Sequence, residues 1–353
     1  VKGVGRQLLC ALAVLLLVVG CSSGPQKSAP GAQEPGGWVD EDVTFVADGL
    51  TIHGTYRHQG DAPGPAALLI SESGNTDRNG DNAVAGPVGN MRQLAEYLSG
   101  KGVASLRYDK AGTGKTGLGP YALRPADVGS AVYTLGAKAA VRFLAEKPGT
   151  EKSRISVYAL GEGTVHAMTL AADTAPDAPK IHALGLFQPL SGRYLDIITA
   201  RVRSSVDADV ASGAKTRQQA DDVVAAWNAA VVEARTKGTA PAKLPEGLGA
   251  ILNPGNVKAV VEADAIDPVA LAATVPAGTP VLVTCSDSDS QANCTAEVAL
   301  TAALGRHTAL TVVGLQGVNH VLRDDPTDNV ANYASKEPLS SQLVKALDAF
   351  VGK

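Results

Sequence analysis

The chain has 353 residues, 45% hydrophobic and 19% charged, which excludes a disordered or low-complexity protein and suffices for one large α/β domain or two smaller ones. Its formal net charge of -4 is spread along the sequence without a basic block. Nucleic acid is therefore excluded as an expected partner.

Lys2 and Arg6 precede an unbroken apolar run, LLCALAVLLLVV (8–19), followed by Gly20 and Cys21. Residues 1–20 read as a signal peptide, too short to span a bilayer comfortably. The closing LVVGC resembles a bacterial lipobox. On that reading Cys21 is lipidated, becomes the mature N-terminus and anchors the chain on the extracytoplasmic side of the bacterial cell envelope. The other reading is an ordinary secretory signal with Cys21 an incidental thiol, and a small residue followed by Cys at the end of the apolar run favours the first. Residues 21–41, rich in Ser, Gly and Pro, read as a flexible tether.

DVTFVAD and TIHGTYRH, joined around Asp48 and Gly49, predict an opening hairpin. AALLIS (66–71) predicts a buried strand running into a polar, glycine-rich loop. MRQLAEYLSGKG predicts a helix stopped by glycines, and VASLRYD (103–109) the next strand. Asp127 is expected to cap a helix reaching Lys147. RISVYAL, a helix over 162–173 and IHALGLF (181–187) continue the alternation. Residues 192–264 show helical runs and no convincing strand, and read as a helical cap inserted into the core formed by 42–191 and 265–353. PVLVTCS (280–286), a helix over about 293–304, TALTVVG and the amphipathic SSQLVKALDAFV complete the chain. The pattern implies an α/β fold with a mostly parallel central sheet and helices on both faces. Ligands in such sheets bind beyond the carboxyl ends of the strands.

Three loops there carry chemistry. DKAGTGKTG (109–117) ends like a phosphate loop, but Asp109 stands where its first glycine belongs, so it reads as a glycine-rich surface loop. YALGEGT (158–164) has the strand, tight turn and helix of a nucleophile elbow, with small residues Ala159 and Gly163 flanking the tip. The tip is Gly161, which adopts the left-handed conformation cheaply but carries no nucleophile. SDSDSQ after the 280–286 strand offers Asp287 and Asp289, and LQGVNH after TALTVVG ends in His320. Elbow, acid and histidine, each at the end of its own strand, follow the order of a hydrolytic triad. A lone histidine after a strand is usually structural; its place in this order singles out His320. Cys285 and Cys294 are either a local disulfide, plausible in an exported domain, or a pair of buried thiols. The histidines are scattered and the Asp-rich loops lack calcium-loop spacing, so neither a metal nor a cofactor is expected.

From about Val43 onward the chain resembles the α/β-hydrolase superfamily, in the branch of EstD-type secreted carboxylesterases and serine aminopeptidase-like hydrolases. ESGNTDRNGD is similar to that branch's GSGPTDRNG, LRYDKAGTGKT to LRYDKRGTGKS, ALGEGT to GHSEGT, NPGNV and DPVAL to NPANV and DPAAL, and GVNH to GANH. The acid loop resembles GDxDxQ, which selects Asp289 over Asp287. The resemblance implies an α/β-hydrolase fold with Asp289 as acid, His320 as base and Gly161 in the serine position. It also implies an oxyanion hole from the amides of Glu162 and of Ser73 or Gly74.

The departures fall on this site: Glu72, Ala159, Leu160 and Gly161 stand for glycine, glycine, histidine and serine. Covalent acyl transfer from Gly161 is unavailable. Glu72 is expected to oppose an oxyanion, and Leu160 to make the pocket more apolar. These substitutions point to a catalytically degenerate, esterase-like lipoprotein that binds an acyl or envelope-derived ligand, with the membrane reached through Cys21. Two alternatives stand beside it. One is an active ester hydrolase using water activated by His320, or Ser71 or Ser73; the other is a scaffold whose cap engages an envelope protein.

Overall fold

The computed structural model describes residues 37–352; the signal segment, Cys21 and almost all of the tether lie outside them. Strands β1 (Val39–Ala47) and β2 (Leu50–His58) form the expected hairpin. It turns at Asp48 and Gly49, both at positive φ (46° and 77°), the backbone that a two-residue hairpin loop demands. On β1 only Val43, Phe45 and Ala47 are buried, in strict alternation, as befits an edge strand with one wet face. Pairing begins at Val39, so the core opens slightly earlier than position 42.

Six further strands follow: β3 (Gly64–Ile70), β4 (Ala104–Tyr108), β5 (Thr150–Leu160), β6 (Ile181–Phe187), β7 (Pro280–Ser286) and β8 (Ala309–Leu315). They form one sheet in the order β1-β2-β4-β3-β5-β6-β7-β8. The β1–β2 and β2–β4 pairs are antiparallel, and all pairs from β4 to β8 are parallel.

Helices cover both faces because the central strands are apolar on both. Leu68, Val157 and Ala159 pack with Ala137, Val141 and Leu144 of α2 (Ser130–Ala145) and Met168 of α3 (Gly163–Ala171). Their neighbours Leu69, Tyr158 and Leu160 turn to the other face. They meet Leu94 and Leu98 of α1 (Asn90–Ser99) and Leu343 and Leu347 of α9 (Ser341–Phe350). Burying such strands contributes roughly 25 cal/mol per Å² of apolar surface removed from water.

The insertion has a core of its own. Helices α4 (Tyr194–Ala211), α5 (Arg217–Lys237) and α6 (Val257–Ala265) enclose Leu195, Ile198, Val202, Val231 and Val260 around the fully buried Trp227. The indole N–H of Trp227 donates to Thr199 Oγ1 at 2.9 Å. Asp264 ties the two ends of the insertion together, accepting from the Leu195 amide and from Arg193 and Arg235.

Two helix starts differ from expectation. Helix α2 begins at Ser130, and Asp127 sits in a separate 3₁₀ turn (Pro125–Asp127), where its carboxylate pairs with Arg124 and Lys258 instead of capping. The helix expected over 293–304 begins only at Val298, as α8 (Val298–Gly305). Cys294 is bonded to Cys285 of β7, and Asn293 pairs with Ser286 in an isolated bridge, so this segment is held against the carboxyl end of β7. Helix α7 (Pro268–Ala272) opens with the N-cap Asp267, whose carboxylate accepts from the amides of Val269 and Ala270. Among the described residues no helix is long and apolar enough to cross a membrane, and no group of side chains is arranged to hold a metal ion.

Candidate active site

Strand β5 enters α3 through Gly161 and Glu162. Gly161 holds the left-handed conformation (φ 54°), and its amide donates to the Phe187 carbonyl at 3.0 Å. Gly163 is required for another reason: a β-carbon there would lie 2.8 Å from the Ser71 carbonyl oxygen and 2.9 Å from that of Ile70. The close approach of α3 to β3 thus demands a residue without a side chain.

Asp289 and His320 lie in the loops after β7 and β8, and the structure brings them together. His320 Nδ1 is 2.8 Å from Asp289 Oδ2. The other Asp289 oxygen accepts from the amides of Gln291 (2.6 Å) and Ala292 (3.0 Å), which fix the carboxylate's orientation. Asp287 is not part of this group; its exposed carboxylate accepts from the Gly317 amide. Asp328, which no motif marks, joins the two loops. It accepts from the His320 amide and the Tyr333 hydroxyl on one oxygen, and from the Ser290 amide and hydroxyl on the other.

Opposite Asp289, the imidazole meets Glu72. His320 Nε2 lies 2.8 Å from Glu72 Oε2. A β-carbon built on Gly161 would fall 1.6 Å from that same Oε2. Glu72 Oε1 accepts from the Ser73 amide at 2.6 Å and the Glu162 amide at 3.3 Å. The carboxylate therefore fills the space of a nucleophilic side chain at position 161, and its second oxygen holds the two amides expected to form an oxyanion hole. A carboxylate there stands where an oxyanion would form. Of the two amides considered with Glu162, Ser73 makes the contact; Gly74 serves the turn at φ 63°.

Glu72, Ser73, Glu162 and His320 line a cleft of about 890 Å³ including its open mouth, together with Arg201 and Gln188. The cap supplies Tyr194, Ile197 and Ile198 of α4, together with Ile266 just beyond α6. Leu160, expected in this pocket, instead turns into the core with Tyr158 and Phe187. Ser71 is buried with its hydroxyl donated to the Thr76 carbonyl at 3.1 Å. Cys285 and Cys294 are bonded and bracket Asp289.

No family model matches the sequence, and no curated protein matches it either. Solved structures do. The Pyrococcus furiosus esterase Pf2001 superposes with a TM-score of 0.52 at 16% identity, covering 93% of this chain and 100% of that one. Est1E from Butyrivibrio proteoclasticus, with ferulic acid bound, gives 0.51 at 18% identity over 82% of this chain and 97% of its own. DcsB, in complex with its substrate analogue, gives 0.54 at 16% over 88% and 97%. The fold is that of the α/β-hydrolases.

Within this fold the site's charges pull in opposite directions. The Glu72 carboxyl is pulled down to about 2: burial pushes it up, but the hydrogen bond and charge of His320 and the Ser73 amide outweigh that. Burial likewise disfavours the His320 imidazolium, yet Asp289 and Glu72 on either side hold its pKa well above the usual histidine value. Site and histidine thus form a carboxylate–imidazolium–carboxylate row. Glu162 goes the other way, its carboxyl raised by burial and by the charge of Glu72, against the pull of Lys110. Lys110, hidden in the sequence inside the false phosphate loop, donates from Nζ to the Glu72 carbonyl and lies over the Tyr133 ring.

Position 161 carries no hydroxyl, both His320 nitrogens face carboxylates, and the oxyanion donors already hold Glu72 Oε1.

Proposed function

We propose that the chain is an exported, lipid-anchored protein with an α/β-hydrolase fold that has lost serine acyl transfer and binds an acyl or other envelope-derived ligand beneath its cap. One observation carries the loss: Glu72 Oε2 stands 1.6 Å from where a side chain at position 161 would begin, held there by His320. Ligand binding is supported by the cleft, to which the cap brings Ile197 and Ile198 beside Tyr194 and Arg201. The ferulic acid in Est1E and the substrate analogue in DcsB add support for a small organic ligand. Anchoring is supported by the apolar run ending at Cys21 and the tether after it.

The test is hydrolysis of short-chain p-nitrophenyl esters and labelling by a fluorophosphonate, beside native mass spectrometry of the protein purified from its own envelope. Neither turnover nor labelling is expected, and the native spectrum should show a retained small molecule. Labelling or serine-type turnover would sink this reading. Metabolic incorporation of a palmitate analogue, abolished by Cys21→Ser, tests the anchor separately.

A further inference from the structure

We propose that Glu72 is itself a nucleophile, with Glu162 as its acid partner, and that the cleft takes small apolar epoxides, which Glu72 opens and captures as an ester. This goes beyond the reading above and does not depend on it. The argument begins with two carboxyl groups lining one cleft. Glu72 is held as the anion by His320 Nε2 and two amides. Glu162 accepts from the Ser130 hydroxyl at 3.2 Å, and its burial raises its carboxyl above the ordinary value against the pull of Lys110. Two carboxyls whose surroundings drive them in opposite directions divide naturally into nucleophile and acid.

The electrophile follows from what the site has left to offer. Attack of a carboxylate on an ester carbonyl creates a new oxyanion, but the Ser73 and Glu162 amides are already engaged by Glu72 Oε1. Attack on a saturated carbon needs no such donors, only a proton for the departing oxygen. An epoxide meets that condition, since its ring strain drives the opening and its oxygen remains attached to the product. Val165, Leu190, Ile197, Ile198 and Ile266 give the cleft an apolar wall for the substituent, with Arg201 on the same lining.

In the first step Glu72 Oε2 forms a bond to a ring carbon, that carbon–oxygen bond breaks, and its electron pair takes the Glu162 proton. The result is a hydroxyalkyl ester on Glu72 and a carboxylate on Glu162. Esterification removes the Glu72 charge, so the Nε2 proton of His320 passes through water to Glu162. His320, oriented by Asp289, is then free to accept a proton from a water that adds to the Glu72 carboxyl carbon. The oxyanion formed is Oε1, already under the two amides. Collapse expels the glycol alkoxide, which takes the proton of the new carboxylic acid, and the Glu72 carboxylate and His320 imidazolium are restored. The net reaction is epoxide plus water to glycol.

The test incubates the purified full chain with styrene oxide, following glycol by chromatography and the protein by intact mass. Wild type should form glycol, while Glu72→Gln forms neither glycol nor adduct. His320→Gln should accumulate an adduct of one epoxide, mapped by peptide analysis to Glu72. Glu162→Gln should slow capture by roughly 10²- to 10⁴-fold and abolish the fall in capture rate that wild type shows with rising pH. A single wild-type turnover in heavy-oxygen water should place the label in Glu72 and not in the glycol, a readout that needs no variant to fold. Absence of both glycol and adduct in folded wild type, an adduct mapped elsewhere, or label appearing in the first glycol would each overturn the proposal.

Discussion

Gly161 and Glu72 share one space: the carboxylate oxygen of Glu72 that meets His320 stands 1.6 Å from where the side chain of residue 161 would begin. The register of the sheet makes this so. Ile70 of β3 is paired with Ala159 of β5, and Glu72 and Gly161 each follow two residues later in the chain. Absence of a side chain at 161 and presence of one at 72 are therefore a single structural feature.

Restoring the serine alone should consequently fail. G161S is expected to gain neither fluorophosphonate labelling nor p-nitrophenyl acetate turnover, and to lose about 1–3 kcal/mol of stability through overpacking. The double substitution G161S/E72G vacates the space and frees the Ser73 and Glu162 amides, and should label measurably. Labelling of G161S as strongly as the double variant would show that Glu72 swings aside without cost.

Breaking the charged row should destabilise the fold. Glu72→Gln leaves the imidazolium with Asp289 alone, and a loss of about 3 kcal/mol is expected in urea melts at pH 7, the low end for a broken buried pair because one partner remains. The Glu72 carboxyl is held down to about 2, so its contribution is present above the ordinary carboxylate range and disappears as pH falls from about 5 towards 2. His320 is raised, so its contribution is complete below the ordinary histidine value and is lost as pH climbs through the raised one. A constant difference between wild type and variant across the acid range would contradict this account.

Glu297 makes an opposite acid-group prediction. Both its carboxyl oxygens are buried without a hydrogen-bond partner, and burial, with the nearby Asp289 charge, pushes the group up to about 8. An acid held above its unfolded value gives stability that is complete below the ordinary carboxylate range and declines as pH rises to about 8. Glu297→Gln should remove that part of the slope, giving a protein less sensitive to pH between about 5 and 8 in thermal melts. An unchanged slope would show that Glu297 is ionised in the folded state.

The disulfide should matter for stability and for the acid loop together. Cys285 and Cys294 are nine residues apart in sequence and flank Asp289. Closing a loop of that size is worth about 2–3 kcal/mol by chain entropy. Cys285→Ser with Cys294→Ser should lower the urea midpoint accordingly. It should also speed hydrogen exchange at the Gln291 and Ala292 amides, which hold the Asp289 carboxylate. Protection at those amides equal to wild type would confine the bridge's role to the unfolded chain.

By itself the sequence determined most of the frame. Continuous apolar runs specified the central strands and period-2 alternation the edge strand β1, because such runs and glycine-rich turns are local properties of the chain. The helical cap showed as a long stretch without a convincing strand, and the order of Gly161, Asp289 and His320 along their loops marked the site. It misjudged the starts of α2 and α8, where Asp127 turned to Lys258 and the Cys285–Cys294 bond held the chain against the carboxyl end of β7. Only the tertiary structure decided what occupies the site. Glu72 reaches the elbow because β3 lies beside β5, and Asp328 and Lys110 reach it through loops remote in sequence. Protonation was likewise beyond the sequence: whether Glu72 is an anion and Glu162 an acid depends on burial and on which charges stand next to each, and those are set only when the loops converge.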